Sequence, residues 1–294
     1  MDHDTDGLAA RFEADRDHLR AVAYRMLGSV AEAEDAVQEA WIRLDRADTS
    51  DVENLTGWLT TVVSRVCLDV LRSRRSRREE PLVPHVPDPI VTREGAADPE
   101  QEALLGDAVG LALLVVLDAL APAERLAFVL HDMFAVPFEQ IATILGRSPA
   151  ATRQLASRAR RRVQGGAVTP DTDLAGQRRV VDAFFAASRT GDFDALLAVL
   201  DPDVVLRSDG GDQLAATALV RGATTVASRA MGFARLAPFV RPALVNGIAG
   251  VVVAPEGEPV SVMAFTVVDD RVVAIDVLAD PERLRRLDLT ALDG

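Results

Sequence analysis

Six side chains near the middle of the chain are spaced to touch nucleic acid. Arg153, Gln154, Ser157, Arg158, Arg160 and Arg161 fall on the faces of a predicted helix that its apolar residues leave outward. An arginine guanidinium can bridge O6 and N7 of guanine, and a glutamine amide can bridge N6 and N7 of adenine. Arg160 and Arg161, followed by Arg162, lie further along the helix and suit phosphate oxygens, which position a helix without reading sequence. The flanking residues must present this set. Pro137 opens a helix through Gln140, Ile141, Ile144 and Leu145. Gly146 breaks it, since glycine tolerates the positive φ of a tight turn. Ser148 can cap a second helix, and Pro149 fits its first position. Thr152, Ala156, Ala159 and Val163 then recur at helical spacing as the inward stripe. The result is a helix-turn-helix whose second helix can enter a major groove. Leu155 sits among the outward residues and suits either a thymine methyl or packing.

Composition restrains this reading. The chain of 294 residues has arginine as its only cationic side chain besides histidine, 32 of them against 45 acidic residues, for a net charge of −13. Both halves, 1–165 and 166–294, are acidic, so DNA contact must come from local patches. A protein that binds DNA weakly alone and strongly within a larger assembly fits that balance. The all-arginine usage reflects a GC-rich coding sequence. Apolar content of 49% supports sizeable cores, and the length predicts two or three domains. The lone Cys67 excludes an internal disulfide, and its apolar helical surroundings predict a buried thiol in a reducing cytoplasm. His3, His18, His85 and His131 are scattered without metal-ligand spacing, so neither metal nor cofactor is expected. No apolar run approaches a membrane span, and the acidic start is unlike a signal peptide.

The first block, 1–80, is helical. Leu8, Phe12, Leu19, Val22, Ala23, Met26 and Leu27 make one stripe, and Gly28 stops that helix. Ser29 and Glu32 form a capping-box pattern. The second helix buries Ala33, Val37, Ala40 and Trp41 and shows Glu34, Asp35, Gln38, Glu39 and Arg43. After the polar loop from Asp48 to Asn54, a third helix carries Leu55, Leu59, Val62, Val63, Val66 and Val70. It ends in Arg72, Arg74, Arg75, Arg77 and Arg78. Residues 81–103 are a proline-punctuated acidic linker, part of it extended. Residues 104–166 are helical and end in the helix-turn-helix. Residues 171–294 begin with two helices, near 175–189 and 192–200. Strands follow at Val204–Arg207, Phe239–Val245, Val251–Val253, Val260–Val268 and Val272–Val277. A helix near 222–234 interrupts them, and Asp269-Asp270 marks a hairpin. This last block reads as an α+β domain.

Three ordered stretches resemble the extracytoplasmic-function group of sigma-70-type factors. AYRMLGSVAEAEDAVQEAWIRL resembles the group's first conserved region, and LTGWLTTVVSRVCLDVLRSRRSR its promoter-melting region. LAPAERLAFVLHDMFAVPFEQIATILGRSPAATRQLASRARRRV resembles its −35-reading region. The likeness spans about residues 8–165. RRVVDAFFAASRTGDFDALLAVLDPDVVLRSDGG resembles SnoaL-like domains, whose cone-shaped fold is shared with nuclear transport factor 2 and ketosteroid isomerase. Sigma factors carrying this appended domain form a subgroup. PHVPDPI, SDGGDQ and ADPERL resemble its marks, with His85 where tryptophan is usual and Asp212 where a third glycine is usual. The implied architecture is multidomain: two all-α sigma domains, the second with the helix-turn-helix, then an α+β SnoaL-like cone with a curved antiparallel sheet.

The resemblance implies a cytoplasmic, stress-responsive transcription initiation factor. Its partners would be core RNA polymerase, through the β′ clamp and β flap, and promoter DNA, with no membrane. The residues from Arg153 to Arg161 would read the −35 element. Asn54, Arg65, Arg72, Arg74 and Arg75 would serve the −10 element, with the loop Asp48 to Asn54 holding a flipped-out base. Unstacking a base costs about a few kcal/mol, so polymerase must supply much of the grip. Trp58 is expected in the core. Asp35, Gln38, Glu39 and Arg43 would dock on polymerase. Pro87, Asp88, Pro89, Asp209, Gly210, Gly211, Asp280 and Pro281 would join tail to linker, so that the tail modulates the sigma domains in place of a separate anti-sigma factor. Two alternatives stand beside this reading. One is a stand-alone helix-turn-helix regulator with a ligand-sensing tail, dimeric on a palindrome. The other is a sigma factor with an enzymatic tail. Residues 171–294 contain no His, Tyr, Cys, Trp or Lys, which removes most proton-shuttling and nucleophilic groups. Asp203, Asp209 and Asp276 remain as candidate bases.

Overall fold

The computed structural model describes residues 2–47, 52, 54–77, 85–94, 110–166 and 170–289. The chain divides into two compact units. One takes in 1–79, 99–106 and 116–166, and the other 80–98, 107–115 and 167–294. The described part of the linker therefore belongs to the second unit.

The first unit starts with α1 (Asp2–Leu27), α2 (Val30–Asp45) and α3 (Leu55–Arg77). Leu19, Val22, Met26, Val37, Leu44, Leu59 and Val63 are buried between them. Ser29 Oγ accepts the Glu32 N–H at 3.4 Å, which is half of the expected capping box. The other half is replaced: the Glu32 carboxylate pairs with Arg74 at the far end of α3. Three expected stripe positions, one in α2 and two in α3, are shifted. Trp41 is half-buried against Phe12, ring centroids 5.0 Å apart, and Leu44 fills the interior instead. In α3, Val66 and Val70 are half-buried while Cys67, Leu68 and Leu71 face inward. Trp58 is also half-buried.

Next in the chain comes α4 (Leu111–Asp118), whose residues 111–115 group with the second unit and 116–118 with the first. Then, in the first unit, come α5 (Pro122–Phe128), one π-helical turn at Val129–Met133, α6 (Phe138–Leu145) and α7 (Pro149–Gly166). Arg125 of α5 is 1% exposed. It donates to Asp118 Oδ1 at 3.0 Å and to the Arg25 carbonyl at 3.2 Å, so one buried cation ties α5 to α1. Burial pushes its pKa down, and Asp118 opposes that shift. Phe134 receives the Arg25 guanidinium over its face at 5.0 Å and the edge of His18 at 5.3 Å.

The second unit holds α8 (Leu174–Thr190), α9 (Phe193–Val199), α10 (Ala223–Gly232) and α11 (Pro281–Leu284). Its strands are β1 (Val91–Thr92), β2 (Leu200–Asp209), β3 (Ala218–Arg221), β4 (Val240–Val245), β5 (Ile248–Val253), β6 (Ser261–Val268) and β7 (Arg271–Leu278). They form one sheet in the order β1-β4-β5-β6-β7-β2-β3. Pairing is antiparallel except between β2 and β7, which run parallel because the chain travels through β3 to β6 before returning. Phe184, Leu196 and Val226 from the helices pack with Phe265 and Ile275 from the sheet. Asp173 and Asp192 cap α8 and α9. Asp269 and Asp270 adopt φ of 50° and 58° between the paired Val268 and Arg271, which is the backbone a two-residue hairpin requires.

Candidate nucleic-acid interface and linker clamp

The helix-turn-helix forms as its punctuation requires. Gly146 ends α6 at φ 63°, ψ 40°. Ser148 Oγ accepts the Ala151 N–H at 3.2 Å and caps α7. Thr152, Ala156 and Ala159 are fully buried and Val163 is half-buried. Leu155 is 4% exposed, so packing accounts for it and a base contact does not. Arg153, Gln154, Ser157, Arg158 and Arg161 are exposed, and Arg160 is half-buried.

Most of these arginines meet a carboxylate of their own domain. Arg153 pairs with Glu139 at 2.9 Å and lies 5.6 Å from the Phe138 ring centroid. Arg158 and Arg162, one turn apart, share Glu124 at 3.1 and 2.9 Å. Arg160 pairs with Asp132 at 2.5 Å. Among the described residues, Arg161 has no such partner. Sequence reasoning missed these counter-charges, although the i, i+4 spacing of Arg158 and Arg162 was a signal that one acid could serve both. The Arg153–Glu139 pair is exposed on both sides, and such pairs contribute only about 0–1 kcal/mol, so a phosphate or base can replace Glu139 at little cost. Glu124 is buried, and having two arginines lets one leave while the other stays on it.

The −10 set separates into two kinds of residue. Arg65, Arg72 and Arg75 are exposed on α3, Arg72 loosely paired with Asp69 at 3.6 Å. Arg74 departs from the expectation for that helix end, since it turns inward to the Leu27 carbonyl at 3.1 Å and to Glu32. Asn54 uses its side-chain oxygen to accept the Gly57 N–H at 2.9 Å and caps α3. The rest of the expected base-holding loop, apart from Val52, lies outside the described residues, as does Arg78. On α2, Asp35, Gln38 and Arg43 are exposed and Glu39 is half-buried, with Arg43 Nε on Glu39 Oε1 at 2.8 Å.

The linker residues and the marks in the last block come together within the second unit. Asp209 Oδ2 accepts the Val86 N–H at 3.0 Å and Arg283 Nη1 at 2.7 Å, and lies 3.2 Å from His85 Nδ1. Its other oxygen accepts the Gly211 N–H at 3.1 Å. Arg283 also donates to Asp88 Oδ1 at 2.7 Å and to the Val86 carbonyl at 2.5 Å. Asp280 caps α11 by accepting the Glu282 and Arg283 N–H groups, and Pro281 occupies the first helical position, so this short helix aims Arg283. Gly211 has φ 58°, and a Cβ there would collide with the Asp280 carboxylate, while one on Gly210 would meet the Gln213 carbonyl at 2.8 Å. Neither position accepts a side chain.

Further along, Asn246 exchanges two hydrogen bonds with Ile90, its side-chain oxygen accepting at 3.0 Å and its N–H donating at 2.8 Å. Val91 and Thr92 then pair with Val245 and Leu244 as an added edge strand. Arg178 holds Glu94 at 2.5 Å and the Ala243 and Gly250 carbonyls at 2.8 and 3.0 Å. Val86, Pro87, Pro89, Ile90 and Val91 are buried. Proline brings no N–H into that dry contact, and the N–H groups of Val86 and Ile90 are both satisfied. Burial alone would raise the Asp209 pKa, but hydrogen bonds from His85, Val86 and Gly211, with the charge of Arg283, bring it down to about 2. Sequence reasoning found the Asp209 side of this clamp but not Arg283, Asn246 or Arg178.

The three candidate bases do not meet. Asp203 is exposed, Asp209 belongs to the clamp, and Asp276 is buried against Arg207 at 2.7 Å, where burial pushes its carboxyl up. A cavity of about 370 Å³ lies between helices and sheet, and none of the three lines it.

Comparison with known proteins agrees with this anatomy. Residues 11–77 match sigma-70 region 2, and residues 110–163 match sigma-70 region 4. The chain is 43% identical over 289 residues to the ECF RNA polymerase sigma factor SigJ of Mycobacterium tuberculosis, covering 93% of this chain and 92% of that protein. It is 44% identical over 202 residues to the probable ECF RNA polymerase sigma factor SigI of the same species, covering 68% and 69%. The crystal structure of the M. tuberculosis SigJ superposes with a TM-score of 0.76 at 40% identity, over 94% of this chain and 97% of that one.

Proposed function

The chain belongs to the extracytoplasmic-function family of RNA polymerase sigma factors, and from that premise we propose that its C-terminal domain controls initiation by gripping the linker between regions 2 and 4. Regions 2 and 4 bind core RNA polymerase and promoter DNA. In this reading Arg153, Gln154, Ser157 and Arg158 read the −35 element, and Arg160 and Arg161 hold its phosphates. Arg65, Arg72 and Arg75 follow the backbone at the −10 element, with Asn54 and Arg74 fixing the ends of their helix. The α2 face of Asp35, Gln38, Glu39 and Arg43 meets the polymerase clamp. The chain works in the cytoplasm.

The observation that carries the proposal is the seating of Val86–Thr92: a salt-bridged, hydrogen-bonded segment ending as a strand of the C-terminal sheet. Each linker residue so pinned is withdrawn from the length that lets regions 2 and 4 take separate places on polymerase. A fused domain of this kind does the work of a separate anti-sigma factor. It needs no chemistry, and the cavity without a carboxylate supports a binding role over a catalytic one. In vitro transcription with core polymerase tests the reading. Arg283→Ala and Asp209→Asn should change promoter output at least threefold while core binding stays within twofold of the parent. Unchanged output, or tight specific promoter binding by the chain without polymerase, would overturn it.

A further inference from the structure

The cavity of the C-terminal domain has a chemistry of its own. At about 370 Å³ it lies at the small end of the range of small-molecule sites, about 300–1,000 Å³. Phe184, Phe185, Phe233 and Met263 give it an apolar wall, and no acidic residue lines it. Two of its three serines have already committed their protons: Ser188 Oγ donates to the Ala230 carbonyl at 3.2 Å, and Ser208 Oγ to the Ala216 carbonyl at 2.5 Å. Arg229 is the one charged residue in the lining. It is half-buried and stacks over Phe233 at 5.8 Å, and among the described residues no carboxylate pairs with it. An apolar chamber with one unpaired guanidinium selects a molecule with an apolar body and one negative end.

The same chamber adjoins the linker clamp. Ser208 and Ala279 are lining residues; Ser208 precedes Asp209 in β2, and the Ala279 N–H donates to the Asp209 carbonyl at 2.7 Å. Gln213 and Ala216, also in the wall, close the loop over Gly210, where the Gln213 N–H donates to the Gly210 carbonyl at 3.0 Å. The backbone that carries the Asp209 carboxylate to Val86 is thus one side of the chamber. We propose that this cavity binds an amphipathic monoanion, a small apolar carboxylic acid held by Arg229, and that its occupancy alters the grip of Asp209 on the linker. The second half of that inference rests on the clamp reading above. Linkage makes the effect reciprocal, so a ligand that alters the grip must itself be bound differently when the grip is lost.

The test uses the full chain and three probes of equal length: decanoate, decan-1-ol and decylamine. Each displaces the neutral fluorophore N-phenyl-1-naphthylamine in a titration. Decanoate should act at concentrations at least tenfold below the other two. Arg229→Gln should erase that preference to within about twofold, and Arg229→Lys should keep most of it. Equal action of the three probes, no displacement by decanoate, or a preference that survives Arg229→Gln would overturn the ligand class. Coupling is read separately, by hydrogen exchange at the Val86 and Ile90 amides, which saturating decanoate should change at least threefold. Unchanged exchange at saturation would overturn the coupling, whatever Arg283→Ala does to transcription, so the two readings fail independently.

Discussion

The arginines of α7 and the arginine of α11 put one side chain to opposite uses. Arg153, Arg158 and Arg162 are more than half exposed; Arg153 meets an exposed carboxylate, Glu139, that solvent can replace, and Arg158 and Arg162 share the buried Glu124, so either can leave while the other stays. Arg283 is 17% exposed and joins Asp209, Asp88 and a backbone carbonyl at once. An exposed pair contributes little and exchanges freely. A desolvated one cannot lose a partner without stranding the other charge. On the roles proposed above, the difference teaches how an acidic protein would keep cations for DNA: guanidinium groups meant for a partner stay exposed, and the one meant for the chain itself is buried in a network.

The largest break in this contrast is Arg283→Ala. It strands the buried Asp209 carboxylate at a cost of about 3–5 kcal/mol, which should appear as lost hydrogen-exchange protection at Val86. Protection within tenfold of the parent would place Arg283 with the exchangeable arginines. Acid should sharpen the contrast at a smaller scale. The Asp209 pKa of about 2 lies below its ordinary 3.8, so its stabilising effect is complete above pH 4 and lost as pH falls through about 2. That shift corresponds to about 2 kcal/mol, and Asp209→Asn should lose this acid-dependent step. On the DNA side, Arg153→Ala should weaken discrimination at a single −35 base pair by about 1–3 kcal/mol, measured across a promoter set with holoenzyme. Arg161→Ala should have the mildest effect, weakening all promoters alike and lowering the slope of log affinity against log salt by about 1. Identical profiles for Arg153 and Arg161 would dissolve the division between reading and holding.

What was legible in the sequence was local. Pro137, Gly146, Ser148 and Pro149 specify the helix-turn-helix because caps and turns depend on residues a few positions apart. Asp269-Asp270 fixes its hairpin for the same reason. The phase of α3 was harder to read, since Val66 and Cys67 adjoin and either can lead an apolar face. The clamp was half legible: the acidic and glycine-rich marks drew attention to Asp209, but its bond with Val86 spans 123 positions. Arg283 reaches Asp88 across 195, and no local period reports such a pairing. The two-residue strand Val91–Thr92 carries no alternation, so only its partner reveals it. The parallel joint between β2 and β7 is likewise a product of the chain's route and not of either strand's composition.

The added strand also settles a matter of solubility. β4 would otherwise border the sheet with open amides and carbonyls, a template for pairing with other chains. Arg241 and Pro242 blunt one half of that border, and Val91 and Thr92 cover the other half at Leu244 and Val245. Release of the linker, as the clamp reading has it, would bare that half of the edge. On that reading, polymerase would have to engage the released chain before the edge pairs with another copy, so the tether would double as a shield.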